Sequence, residues 1–303
     1  MITDLKRPVL QLLHDILFDE SQLKVYVLRL DTMHPLVSGN KWYKLKYNIE
    51  AFQKSGQEFL VTFGGAYSNH IVATAAAGKE SGIQTIGIIR GEELNEHSNP
   101  YLRFANDCGM KLIFVSREIY RKAHDSTFPM DELLNNFKPY YILPEGGAGE
   151  LAVIGCKEII QEIPVDFSFI CCACGTGTTL AGISAGLTTG QKAIGIPVLQ
   201  GSFLEKDILR MNGGIHNFEL MHDYHFGGYA KSGAALEEFC ETFSVRHHLP
   251  VEPVYTGKLF YGIMDLIHKL YFPPSSTLVL VHSGGILQSL APLSTSIPGS
   301  EYE

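Results

Sequence analysis

Phe167-Ser168-Phe169-Ile170-Cys171-Cys172-Ala173-Cys174, followed by Gly175-Thr176-Gly177-Thr178-Thr179, is the stretch on which the fold turns. Apart from Ser168 the run to Cys174 is hydrophobic, and a short apolar run closed by a glycine turn reads as a central strand covered on both faces. The small-residue segment 178–188 that follows reads as a helix. No charged residue occurs from Phe167 to Gln191, a length that raises the question of a membrane span. Gly175 to Thr179 answer it by cutting the stretch into strand, loop and helix, each too short to cross. Successive strand residues point to opposite faces, so Cys171 diverges from Cys172 and Cys174. Two thiols on one face are too few for a metal site, and the three cysteines read as small buried hydrophobes.

Outward from this unit the pattern repeats. Apolar or β-branched runs occur at Val25–Leu30, Phe59–Phe63, Thr85–Ile89, Leu112–Val115, Ala193–Leu199 and Thr277–Val281. Helical patterns lie between them at 41–54, 69–82, 99–108, 151–163, 234–246 and 257–270. Such alternation predicts α/β architecture with largely parallel sheets. At 303 residues the chain is long enough for one or two domains. With 45% hydrophobic residues, 18% charged residues and a net charge of -8, it has the composition of a globular protein. It lacks the basic footprint of a binder of nucleic acid or of an anionic membrane surface. Small molecules or copies of the chain itself are the expected partners. The six cysteines have neither disulfide density nor paired metal-ligand spacing, which predicts a reducing, cytoplasmic setting. Charged residues throughout Met1 to Lys24 leave no signal-peptide core, so export is not expected. His222, His225, His247 and His248 lack companion ligands at metal-binding spacing.

Three loops carry the chemistry. In Ser38-Gly39-Asn40-Lys41-Trp42-Tyr43-Lys44, two lysines stand at the start of a predicted helix, where the positive end of the helix dipole disfavours cations. An anionic partner or covalent chemistry explains them better than local stability does. An amine desolvated beside other cations has a lowered pKa and can attack an aldehyde. The second loop, Gly64-Gly65-Ala66-Tyr67-Ser68-Asn69-His70, joins a strand to a helix, with glycines for a tight turn and Ser68 and Asn69 at the capping positions. The third, Gly175-Thr176-Gly177-Thr178-Thr179, offers backbone N–H groups and a helix dipole to an anion. It lacks the P-loop lysine and the third glycine of the dinucleotide fingerprint, which leaves a monophosphate cradle. A lysine, a phosphate cradle and a Ser-Asn turn are the anchors that pyridoxal 5'-phosphate requires: an aldehyde partner, a phosphate site and a hydrogen bond to the ring hydroxyl.

On these motifs the chain resembles the pyridoxal-phosphate enzymes of the 1-aminocyclopropane-1-carboxylate (ACC) deaminase and D-cysteine desulfhydrase family. The resemblance covers nearly the whole chain. It implies the tryptophan-synthase-β-like fold, fold type II, with two open, twisted, mostly parallel sheets flanked by helices, a homodimer, and a small amino acid as substrate. It makes Lys41 the Schiff-base lysine, places Asn69 at the ring hydroxyl, and gives Ser68 to the substrate carboxylate or to proton transfer. Thr176, Gly177, Thr178 and Thr179, with Gly175, match the family's phosphate loop, and Lys44 is a further cofactor contact. Tyr255 in Val254-Tyr255-Thr256-Gly257-Lys258 corresponds to an active-site tyrosine, with Tyr229 as the second. Tyr43 stands where the family commonly has arginine, and His70 where it has glutamine.

Thr256 and Ser283 discriminate within the family. Ring-opening deaminases carry glutamate and leucine at the matching positions, whereas desulfhydrase-like members carry hydroxyl residues, as here. A carboxylate beside the pyridine nitrogen keeps it protonated and strengthens the electron sink. A hydroxyl leaves it neutral, which suffices to eject a good leaving group such as thiolate. The resemblance therefore implies a lyase and deaminase of the D-cysteine desulfhydrase type, with hydrolase chemistry in the final release of ammonia. ACC deamination is the nearest alternative. A non-catalytic pyridoxal-phosphate carrier or sensor and an NAD-linked dehydrogenase are readings from other classes. The expected division is a large domain of residues 1–45 and 149–303, with 46–148 inserted as a smaller domain and the cofactor in the cleft between them.

Overall fold

The computed structural model describes residues 2, 4–124, 130–201 and 203–285. Its strands are β1 (Val9–Leu13), β2 (Lys24–Arg29), β3 (Phe59–Gly65), β4 (Gln84–Arg90), β5 (Lys111–Val115), β6 (Tyr140–Leu143), β7 (Phe169–Cys174), β8 (Lys192–Pro197), β9 (Phe218–Leu220) and β10 (Thr277–His282). The helices are α1 (Ile16–Glu20), α2 (Asn40–Ser55), α3 (Asn69–Ser81), α4 (Pro100–Asp107), α5 (Arg117–His124), α6 (Met130–Leu133), α7 (Glu150–Lys157), α8 (Thr178–Gly186), α9 (Phe203–Met211), α10 (Ala234–His247) and α11 (Thr256–His268).

These form a six-stranded sheet, ordered β1-β2-β10-β7-β8-β9, and a four-stranded sheet, ordered β5-β4-β3-β6. Every pairing is parallel except β1 with β2. The smaller sheet is built wholly from residues 59–143, between strands of the larger one. The fold is thus the expected α/β class, with two mainly parallel sheets flanked by helices.

The central strand behaves as its sequence requires. Cys171 packs with Phe260 and Ile263 of α11 on one face, and Cys172 and Cys174 pack with Leu180 and Ile183 of α8 on the other. Each aliphatic side chain so buried contributes about 1.5–3 kcal/mol. Among the described residues no group of His, Cys, Asp or Glu is arranged to hold a metal, and no helix is long and apolar enough to cross a membrane.

Two glycines fix how α2 sits. At Gly155 of α7 an added Cβ would stand 1.8 Å from the Tyr43 carbonyl oxygen of α2, so the two helices touch backbone to backbone. Gly39, at φ +66, brings the start of α2 so close to the turn after β10 that a Cβ would lie 1.9 Å from the Ser283 oxygen. The first turn of α2 is thereby held at the carboxyl ends of the central strands, where open α/β sheets bind their ligands.

The sequence pattern differs from the structure mainly at edges. The predicted helix over 151–163 is α7 followed by a 3-10 turn at Glu158–Glu162. Strands β1, β6 and β9, of 5, 4 and 3 residues, all lie at sheet edges and were not expected, nor were α1, α5, α6 and α9.

Candidate active site

The cleft opens at the start of α2 and is lined by residues of both sheets' loops. One wall comes from α2 and the turn after β10, a second from the β7–α8 loop, and a third from Asn69 and Gly146, which follow strands of the smaller sheet.

Lys41 is drawn over the start of α8 by a short relay. Its Nζ donates to Asn40 Oδ1 at 3.0 Å, and Asn40 Nδ2 donates to Thr179 Oγ1 at 2.9 Å. Asn40 is itself fixed by its backbone N–H, which donates to the Ser283 oxygen at 3.1 Å. Burial, and then the charge of Lys44, pull the Lys41 amine down from 10.5 to about 7. Both effects favour the neutral amine over the ammonium. Lys44, one turn on, donates to the Gly146 carbonyl at 3.1 Å and is also lowered by burial. Neither lysine has a carboxylate partner among the described residues. A site that buries two amines without an acid is suited to an anionic occupant.

After β7 comes the loop Gly175-Thr176-Gly177, and Gly177, at φ +78, turns the chain into α8. A Cβ at Gly177 would lie 2.8 Å from Ile208, so a side chain has no room there. The Thr176 and Thr178 hydroxyls are 3.0 Å apart. The fully buried Thr178 lies behind the cleft wall that Thr176 and Thr179 form.

The Ser-Asn turn divides its residues. Ser68 accepts the Ile71 N–H at 3.3 Å as the cap of α3 and does not line the cleft. Asn69 does, and its buried Oδ1 has no hydrogen-bond partner. His70 sits behind, with Nε2 at 2.8 Å from Thr62 Oγ1. Because Thr62 gives its proton to the Leu143 carbonyl at 2.9 Å, the hydrogen must be on Nε2, leaving Nδ1 bare. Burial, then Lys41 and Lys44, hold this ring's pKa well below its usual value.

Opposite stands Tyr255, whose phenol oxygen is 3.6 Å from where a Cβ on Gly175 would be. Burial, then Tyr229, push its pKa well up, so it keeps its proton. Tyr229 meets Tyr255 edge-on with ring centroids 6.0 Å apart, but is 46% exposed and off the wall itself. Thr256 is fully buried and spends its hydroxyl on Glu252 Oε1 at 3.1 Å. The same carboxylate accepts the N–H groups of Val254, Tyr255 and Thr256 at 2.7, 2.9 and 2.8 Å, capping α11. The cleft thus brings together Lys41, Lys44, Asn69, Gly175, Thr176, Gly177, Thr179, Tyr255 and Ser283. Ser68, Thr178, Tyr229 and Thr256 lie behind or beside it.

Asn40, Glu252 and the Gly146 loop were missed by sequence reasoning. Gly146-Gly147-Ala148-Gly149 after Tyr140–Leu143 was the available signal for the loop; nothing local marked Glu252.

The residues present fit pyridoxal phosphate: Lys41 for its aldehyde, the Gly/Thr loop and Lys44 for its phosphate, and the unpartnered Asn69 side chain for its ring hydroxyl. Fold and cleft define a lysine-bearing cofactor protein built on two mainly parallel sheets. The chain belongs to the pyridoxal-phosphate dependent enzymes, whose family model matches residues 11–284. It is 31% identical to a putative 1-aminocyclopropane-1-carboxylate deaminase of Pyrococcus horikoshii, over 86% of this chain and 84% of that one. It is 26% identical to a D-cysteine desulfhydrase of Salmonella newport, over 86% and 87% of the two chains. A crystal structure of an ACC deaminase homologue superposes with a TM-score of 0.81 at 26% identity, covering 96% of both chains. The expected deaminase and lyase class stands; the expectation of a hydrolase finds no support in these names.

Proposed function

We propose that this chain eliminates the β-substituent of a small thiol amino acid, D-cysteine or a near analogue, releasing sulfide, a 2-oxoacid and ammonia. In this reading residues 1–45 and 149–303 form the larger domain, 46–148 the smaller one, and the chain pairs with a second copy of itself. Bound pyridoxal phosphate supplies the electron sink for the α-carbon. Lys41 would hold the cofactor at its aldehyde, and its Nζ, when free, would take the substrate α-proton as general base. Burial and the charge of Lys44 both favour its neutral form, the form that accepts a proton. Thr176, Thr179 and Lys44 hold the phosphate, Thr178 braces the loop through Thr176, and Asn69 orients the ring through its hydroxyl. Ser68, expected at the substrate carboxylate, is off the cleft wall and instead caps α3, setting where Asn69 stands. Tyr255, protonated throughout the neutral range, donates toward the leaving sulfur, and Tyr229 orients it. The Cα–H and Cβ–S bonds break, the sulfur leaves as thiol, and the released enamine takes up water to give the 2-oxoacid and ammonia.

The observation that carries the choice of substrate is the absence of a carboxylate from the described cleft lining, to which Ser283 belongs. Glu252 stands beside the lining at Gly285, where an added Cβ would be 3.5 Å from its Oε1, but this carboxylate is occupied by the N–H groups of Val254, Tyr255 and Thr256. Without an acid at the ring nitrogen the sink is weak, which favours a good leaving group over cleavage of a ring carbon bond. ACC deamination is the second reading, supported by the name of the 31%-identical relative. A panel of D-cysteine, L-cysteine, β-chloroalanine and ACC, assayed for 2-oxoacid and ammonia, separates the two. Faster turnover of ACC than of D-cysteine at equal concentration would reverse the choice, and no ammonia from any of them would favour the carrier.

A further inference from the structure

Lys258 is fully buried, a rare state for lysine, and it lies outside the cleft lining. It stands in the first turn of α11, just after Tyr255 and Thr256. Its Nζ donates to the His225 carbonyl at 2.8 Å and to the Gly228 carbonyl at 2.6 Å. Burial draws its pKa down to about 8, with the charge of Glu252 opposing.

The two carbonyls belong to an unusual turn. Phe226, Gly227, Gly228 and Ala230 all have positive φ, at 52, 90, 116 and 54°. Phe226 and Ala230 have no glycine's freedom, and backbone of this kind persists only where its surroundings over-determine it. His225 O also accepts the Gly228 N–H at 3.0 Å, and Gly228 O accepts the Lys231 N–H at 3.3 Å. Lys258 therefore ties both carbonyls around which the turn closes. The next residue is Tyr229, edge-on to Tyr255 with centroids 6.0 Å apart.

We propose that Lys258 is a positioning residue: by fastening the 225–228 turn to α11, it holds the Tyr229 ring against Tyr255 at the mouth of the cleft. One helix start then sets both tyrosines, Tyr255 directly and Tyr229 through the buried amine. The inference rests on the reading that Tyr229 serves the substrate.

A double-mutant cycle on the holoenzyme tests it. Lys258→Met is expected to lower kcat/KM on the preferred amino acid at least fivefold while cofactor absorbance and retention stay unchanged, and to speed amide exchange of residues 225–231 selectively. In a Tyr229→Ala background the same substitution should cost less than twofold, because the group it positions is gone. Equal losses in both backgrounds would overturn the proposal. If Tyr229→Ala alone leaves turnover intact, the reading of Tyr229 fails, and exchange of 225–231 still decides whether Lys258 fastens the turn. If Lys258→Met does not fold, Lys258→Gln, which keeps a donor without the charge, replaces it in the same cycle.

Discussion

Lys44→Met removes the second cause of the depressed Lys41 pKa and leaves the first, burial, in place. The amine falls by 3.5 pH units, from 10.5 to about 7. Burial is the larger contribution and Lys44 the next, so Lys44 supplies no more than about half, and its removal should raise the midpoint by at most about 2 pH units, or about 2.7 kcal/mol. Methionine keeps the buried volume near Gly147 while deleting the charge. The assay is competitive acylation of the apoprotein across pH, with the Lys41 peptide quantified by mass spectrometry, since only the neutral amine reacts. Wild-type Lys41 should be half-reactive near pH 7, and the variant above that but below about 9. A wild-type midpoint near 10, or one unmoved by Lys44→Met, would refute the reasoning.

Other consequences follow from the same geometry. Lys41, Lys44 and Lys258 all have folded pKa values below 10.5, so between about pH 7 and 8 the unfolded chain binds more protons, whereas above that range it sheds thiol protons that the buried Cys156, Cys171, Cys172 and Cys240 keep. Apoprotein stability should therefore rise with pH between about pH 7 and 8, as urea denaturation at several pH values will report. Glu252→Ala leaves three N–H groups and the Thr256 hydroxyl without their acceptor and should cost about 2 kcal/mol in the same assay; a loss under about 0.5 would mean that the cap is dispensable. Thr256→Glu with Ser283→Leu should shift preference toward ACC only when Glu252→Gln is added, because two carboxylates would otherwise share one buried site. Unchanged ratios of ACC to D-cysteine turnover in the triple variant would contradict this.

The fold was legible where the pattern is local. The two faces of β7 follow from alternation alone, and Cys171 and Cys172 do part company as that alternation requires. Lys41 was legible because a cation in a first helical turn is electrostatically odd, and the oddity has a cause in its burial beside Lys44. The Tyr140–Leu143 strand was not legible, being short and at an edge. With it went the Gly146 carbonyl that receives Lys44. Glu252 was hidden for a different reason: it reaches forward through a non-helical turn to three successive N–H groups, and no periodicity records that. The same contact changed the meaning of Thr256, whose hydroxyl is spoken for by Glu252. Tyr229 could be matched by its distance along the chain, but the buried lysine that anchors its turn is visible only in three dimensions.

The most direct measurement is the site of attachment. Purified protein loaded with pyridoxal phosphate should be yellow, lose that colour on borohydride reduction, and yield on peptide mapping a pyridoxyl group on Lys41 alone, with Lys41→Ala giving none and Lys44→Ala still labelled at Lys41. A label on Lys44 or Lys46, or no label at all, would contradict the assignment of Lys41 as the residue that holds the cofactor.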